Sequence, residues 1–111
     1  MSYSILDGFK QNAEDSYQQA VASMDAGCAE DAVHQFRRAV SLDPRHARAW
    51  NDLGVLMDAL ENHRDALSCY QAALEADPTL VEARSNFCML TLALDLEKAL
   101  RSQPRRPSLV F

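Results

Sequence analysis

The sequence predicts an all-α fold of antiparallel helical hairpins stacked one on the next, and three observations predict it. Residues 31–44 and 65–78 match each other at a constant 34-residue offset. Trp50, Leu53, Gly54 and Met57, spaced i, i+3, i+4, i+7, mark one buried face of a helix between them. A proline closes each copy, at Pro44 and Pro78, where a missing N–H and a ring clash end one helix and suit the first turn of the next.

The two copies share an Asp-Ala pair (Asp31-Ala32, Asp65-Ala66), an aliphatic residue (Val33, Leu67) and an aromatic four after the alanine (Phe36, Tyr70). A second alanine (Ala39, Ala73), another aliphatic (Val40, Leu74) and a closing Asp-Pro follow. Two alanines seven apart lie on one helix face and let a neighbouring backbone approach, while the aromatic between them fills the space beside that contact. Gly54 serves the same close crossing from the other helix of its hairpin. The 111 residues give room for one domain with one core.

Trp50-x-x-Leu53-Gly54-x-x-Met57 followed by Ala66, Tyr70, Ala73 and Pro78 resembles the tetratricopeptide repeat, with Met57 where that family usually has Tyr. The resemblance implies an α-solenoid, a superhelix of two full repeats closed by a C-terminal capping helix. The first repeat, 13–46, keeps the second-helix signature but has Ser16, Gln19, Ala20 and Ser23 where Trp, Leu-Gly and Tyr would fall; Gly27 supplies its turn. The second repeat is 47–80, and Asn62 or Glu61 must make its turn. Residues 81–103 form a partial third repeat, with Phe87 and Cys88 in the Leu-Gly places, expected as one helix from about Thr79 to Arg101. Residues 1–12 are an N-terminal segment able to form a helix, and 104–111 a basic, then apolar, tail.

The resemblance also implies a concave groove lined by the first helix of each repeat, which in the family holds a partner's extended peptide or helix. Matched position by position, the groove presents Glu14, Tyr17, Val21, Met24 and Asp25 from the first repeat. Arg48, Asn51, Val55 and Asp58 come from the second, and Glu82, Ser85, Met89 and Leu92 from the third. This face is apolar along its middle and mostly acidic at its borders, so the partner is expected to be apolar and to carry Lys or Arg. The alternative at each position is a solvated helix face or a contact between repeats. One branch of the family clamps the C-terminal carboxylate of heat-shock chaperones with Lys, Asn and Arg; the equivalent places here are Tyr17, Val21, Asp52, Glu82 and Asn86. No cation is among them, which argues against that role.

Sixteen acidic residues against 11 Lys plus Arg give a net charge of −5, which repels nucleic-acid backbones and anionic membranes. No signal peptide or membrane-spanning stretch is read. Cys28, Cys69 and Cys88 lack C-x-x-C spacing and lie in apolar patterns, so all three are expected as buried hydrophobes in a reducing cytoplasm. His34, His46 and His63 are expected on helix surfaces or turns, with no HExxH motif and no glycine-rich phosphate loop; no enzyme, metal or cofactor is indicated.

The last helix carries more apolar residues than one buried stripe accommodates: Leu80, Val81, Phe87, Met89, Leu90, Leu92, Leu94, Leu96 and Leu100. Self-association, most simply as a homodimer, is therefore expected, unless residues 1–12 or the tail fold back to cover it. Docking of the tail in a groove and a mobile tail both stay open. Two function classes follow: an adaptor or chaperone-like module that accepts a partner segment in the groove, or a structural unit that oligomerises through its terminal helix without a groove ligand.

Overall fold

The computed structural model describes the backbone of residues 5–102 and side chains from residue 7 to residue 102. Expectations placed on the tail, and on Ile5 and Leu6 as a cover for the last helix, lie outside the described residues. Among the described residues five helices follow in order: α1 (Ile5–Asp25), α2 (Ala29–Leu42), α3 (Ala47–Ala59), α4 (His63–Ala76) and α5 (Val81–Ser102). Residues from 5 to 12 continue α1 without a break, and α5 starts two residues later than expected.

Helices α1 and α2 pair as one hairpin, α3 and α4 as a second, and α5 packs on α4 and on α3. The two repeated segments occupy equivalent places. Ala32, Phe36 and Ala39 are fully buried, and so, to within 2%, are Ala66, Tyr70 and Ala73. Gly54 is the reason Tyr70 fits: a Cβ built on it would meet the ring at 2.5 and 2.7 Å and the Cys69 Cβ at 3.2 Å. Any larger residue there must push the hairpin apart.

Both hairpin turns close the same way. In the first, the Cys28 amide donates to the Ser23 carbonyl and the Gly27 amide to that of Met24; in the second, Asn62 donates to Met57 and Glu61 to Asp58. These are the paired bonds of a Schellman end, which needs a left-handed residue after the helix. Gly27 adopts it at φ +80°, and Glu61, not Asn62, adopts it at φ +64°. An L residue with a Cβ is strained there, so the second turn is the dearer one.

The junctions between repeats also coincide. Asp43 and Asp77 cap α2 and α4 with φ/ψ of −139°/93° and −145°/94°. Each carboxylate accepts the amide two residues on, from Arg45 at 3.1 Å and from Thr79 at 2.9 Å. In Asp77 the Thr79 hydroxyl, then the Thr79 amide, hold the carboxyl below its ordinary pKa. The Trp50 indole N–H then donates to the Pro44 carbonyl at 2.8 Å, and Arg84, in the corresponding place of α5, donates to the Pro78 carbonyl at 2.7 Å. The partial third repeat is thus in register although Trp has become Arg.

The main core joins all five helices. Ala20, Phe36, Leu53, Met57, Tyr70 and Leu90 lie within it, and Trp50 is half-buried at the junction of the hairpins. Of the cysteines only Cys69 is buried; Cys28 and Cys88 are exposed, contrary to expectation. Cys28 caps α2 at a turn. Cys88 stands in the Gly54 place, but among the described residues no second helix packs over it, so apolar periodicity there marks no burial.

Candidate partner-binding face

The side chains of α3 define which way its faces point. Asp52 reaches α1, where the Tyr17 hydroxyl donates to it at 2.8 Å, and Asn51 reaches α5, accepting from the Asn86 side-chain amide at 3.0 Å. Both bonds span 35 residues, so the same pairing repeats from α1 to α3 and from α3 to α5. Leu53 and Met57, 3% exposed each, point into the core. At about 100° per residue, Val55 and Arg48 fall on the arc between Asp52 and Asn51, directly away from the core. The first helices α1, α3 and α5 therefore form one layer, whose outer face carries Val55 and its equivalents Val21 and Met89.

Among the residues expected on this face, Arg48, Val55, Glu82, Ser85, Met89 and Leu92 are exposed, with Val55 at 40%, Met89 at 70% and Leu92 at 68%. Tyr17, Val21 and Met24 are half-buried against the core. Asn51 departs from the expectation of an exposed side chain: it is 7% exposed and accepts from Asn86 of α5. Asp58 is half-buried and bonded to His63 at 3.0 Å. Phe9, in the segment proposed as a cover for α5, is itself 46% exposed.

The polar groups nearest α1 are already engaged. His46 Nδ1 accepts the Ala49 amide at 3.1 Å, capping α3, so its Nε2 carries the proton and donates to Glu14 at 2.8 Å. The imidazole also lies 4.7 Å from the Tyr17 ring centre, and that ring lies 5.9 Å from Phe36. Hydrogen bonds from Gln18, then from His46, hold the Glu14 carboxyl below its ordinary pKa. Burial, then the bond to Asp52, push the Tyr17 phenol up, so it stays a donor. This His–Glu–Tyr–Asp group was not foreseen, because its members are 32 and 35 residues apart and only the stacking brings them together.

A hollow elsewhere in the structure was also missed. An apolar hollow of about 340 Å³ lies on the other side of α3, between α2 and α4, floored by Trp50, Leu53, Met57 and Cys69 and flanked by Arg37 and Asp65. Burial pushes the Cys69 thiol up to about 11, which makes it a poor nucleophile at neutral pH. Among the described residues no three His, Cys, Asp or Glu side chains are grouped to hold a metal, and no helix is long and apolar enough to cross a membrane.

A family profile described as tetratricopeptide repeat matches residues 17–81. Peroxisomal targeting signal receptors of Komagataella phaffii and Komagataella pastoris are each 32% identical over 85 residues, 76% of this chain and 14% of theirs. The chain therefore spans about a seventh of the length of these relatives. A crystal structure of MamA superposes with a TM-score of 0.73 at 20% identity, covering 84% of this chain and 58% of that one. The second TPR of Spaghetti (RPAP3), bound to HSP90 peptide SRMEEVD, gives 0.73 at 16% identity, covering 78% and 80%. At these identities the structural likeness shows the fold.

Proposed function

This chain belongs to the tetratricopeptide repeat family, and we propose that the outer face of its first helices binds a short protein segment that is apolar and carries Lys or Arg. The observation that carries this reading is the exposure of Val55 and Met89 at equivalent places of α3 and α5, together with Leu92, and of Asp25 and Glu82 at the borders. Apolar side chains left in water on a face whose deeper polar groups are already bonded favour an apolar ligand, and acidic borders favour cations on it. Binding without catalysis, in a reducing cytoplasm, is part of the same reading, supported by three free cysteines.

Two Spaghetti domains bind an acidic HSP90 peptide, but that ligand does not transfer. Four of the five clamp-equivalent places hold Tyr17 bonded to Asp52, Asn86 bonded to Asn51, and the acid Glu82. None of them offers a positive charge to a terminal carboxylate.

The test is fluorescence anisotropy with a labelled nonapeptide of the chain's own basic and apolar sequence, residues 103–111. We expect saturable binding that Val55→Glu weakens by about tenfold or more, equivalent to about 1.4 kcal/mol, and that a peptide with both arginines replaced by glutamate lacks. Equal affinity of wild type and Val55→Glu would refute this face. A second reading, assembly through α5, is favoured by the apolar residues left exposed on that helix.

A further inference from the structure

Of the three helices whose N-caps are described, only α3 is capped by a side chain. Cys28 and Asn62 precede α2 and α4 and make no side-chain cap bond, whereas His46 Nδ1 accepts the Ala49 amide at 3.1 Å. The first turn of α3 depends on it. Helical bonding of the backbone begins with the Trp50 amide, which donates to the His46 carbonyl at 3.2 Å, so the imidazole is what serves the Ala49 N–H. At the next junction Leu80 stands in the equivalent place and has no acceptor to give.

An imidazole differs from the oxygen acceptors that usually cap helices, because it takes up a proton between about pH 5 and about pH 8. Nδ1 accepts only while it is unprotonated, and an imidazolium has two donors and no acceptor. Protonating His46 therefore sets an N–H against the Ala49 N–H and places a positive charge at the positive end of α3. On the other side of the ring the effect is reversed. Nε2 donates to Glu14 of α1 at 2.8 Å, and that hydrogen bond becomes an ion pair when the ring gains its charge. The other groups around the ring can be named. From α1, the Tyr17 ring lies 4.7 Å away, and from α3, Asp52 accepts the Tyr17 hydroxyl while Arg48 sits in the turn that His46 caps. The corner itself carries Arg45 and Asp43, whose carboxylate is turned onto the Arg45 amide; α2 meets it with the uncharged Ala39 and Val40. Gln18, then His46, hold Glu14 ionised, and burial, then Asp52, hold Tyr17 protonated, so neither group bonded to or stacked on the ring changes charge near neutrality.

We infer that His46 is a proton-operated switch at the junction of the two hairpins. Neutral, it caps α3 through Ala49 and bonds α1 through Glu14; protonated, it releases Ala49 and is held by Glu14 alone. The turn from Ala47 to Ala49 then loses its side-chain acceptor and frays, while α1 keeps the ring. Arg48 lies in that turn and is exposed on the outer face, so the proton is felt at one end of that face.

Heteronuclear NMR of the full chain, titrated from about pH 8 to about pH 5, reads the imidazole nitrogens and the Ala49 amide separately. At the alkaline end we expect His46 as the tautomer protonated on Nε2. As the ring takes up its second proton, the Ala49 amide should shift with the same midpoint. Its protection against hydrogen exchange, taken relative to the intrinsic rate at each pH, should fall about fivefold, the worth of one cap. His46→Asn keeps an acceptor that does not titrate, so circular dichroism should be unchanged and the Ala49 amide constant over the range, although His34 and His63 still titrate. Glu14→Gln removes the carboxylate that favours the imidazolium, so His46 and Ala49 should move together to a lower midpoint. An Ala49 amide indifferent to the His46 titration, an imidazole protonated on Nδ1 at about pH 8, or an Ala49 transition that survives His46→Asn each overturns the inference. An unchanged midpoint in Glu14→Gln overturns it equally, since α1 would then have no hold on the charged ring. All these readings are made without a bound segment, so they stand or fall apart from the segment-binding proposal.

Discussion

The first hairpin packs Phe36 in a core that includes Ala20, with Ser16 and Gln19 where the second hairpin has Trp50 and Leu53; the second packs Tyr70 directly against Gly54. Despite this, the buried alanines, the turn bonds and the capping dihedrals coincide. Tyr17 explains part of it. One position after Ser16, its ring stacks beside Phe36 and joins Trp50 against the small cluster of Ala39, Val40 and Ala49. What the hairpin requires is a filled volume at a given depth, and a motif is one of several ways to fill it.

The sharpest way to break this comparison is to empty both hairpins. Phe36→Ala and Tyr70→Ala should each cost about 3–5 kcal/mol in urea unfolding, and near-equal losses are expected because both rings are fully buried. A loss at Phe36 much below that at Tyr70 would mean the first hairpin is loosely packed after all. Next, Gly54→Ala should destabilise by about 1–3 kcal/mol through overpacking against Tyr70, offset in part by the better helix propensity of Ala. The reverse change in the first hairpin, Ala20→Gly, should cost about 0.5–1 kcal/mol in the same measurement.

The turns differ in the opposite sense. Glu61→Gly should stabilise the protein by up to about 1 kcal/mol by relieving the left-handed strain that Gly27 avoids, read as a rise in Tm. The smallest effect concerns acid. Glu14 has a folded-state pKa below its ordinary value, so its contribution is present above the unfolded range near about 4.3 and is lost as pH falls through the folded value. Glu14→Gln should flatten the acid limb of the stability curve, while the neutral side changes little, since the group is 48% exposed.

The repeat, the breaks at Pro44 and Pro78, the socket at Gly54 and the turn at Gly27 could all be read from the residues because each is a local rule at a fixed interval. Asn51 and the Glu14–His46 pair could not, since a polar residue's face is settled by a partner 32 to 35 residues away. Cys88 misled for a related reason: periodicity says which side of a helix could be covered, and only what packs against it says whether it is. The apolar excess of α5 was legible; that Arg84 donates to the Pro78 carbonyl as Trp50 does to that of Pro44 was not, because it depends on the register of the stack.

The matching junctions carry a consequence for building with this molecule. Because the chain enters residue 47 and leaves residue 80 through the same Asp-Pro corner, with the same carbonyl offered to the residue at 50 or 84, the 34-residue block between them is an interchangeable brick. Copying it in tandem should lengthen the rod by one course without disturbing either end.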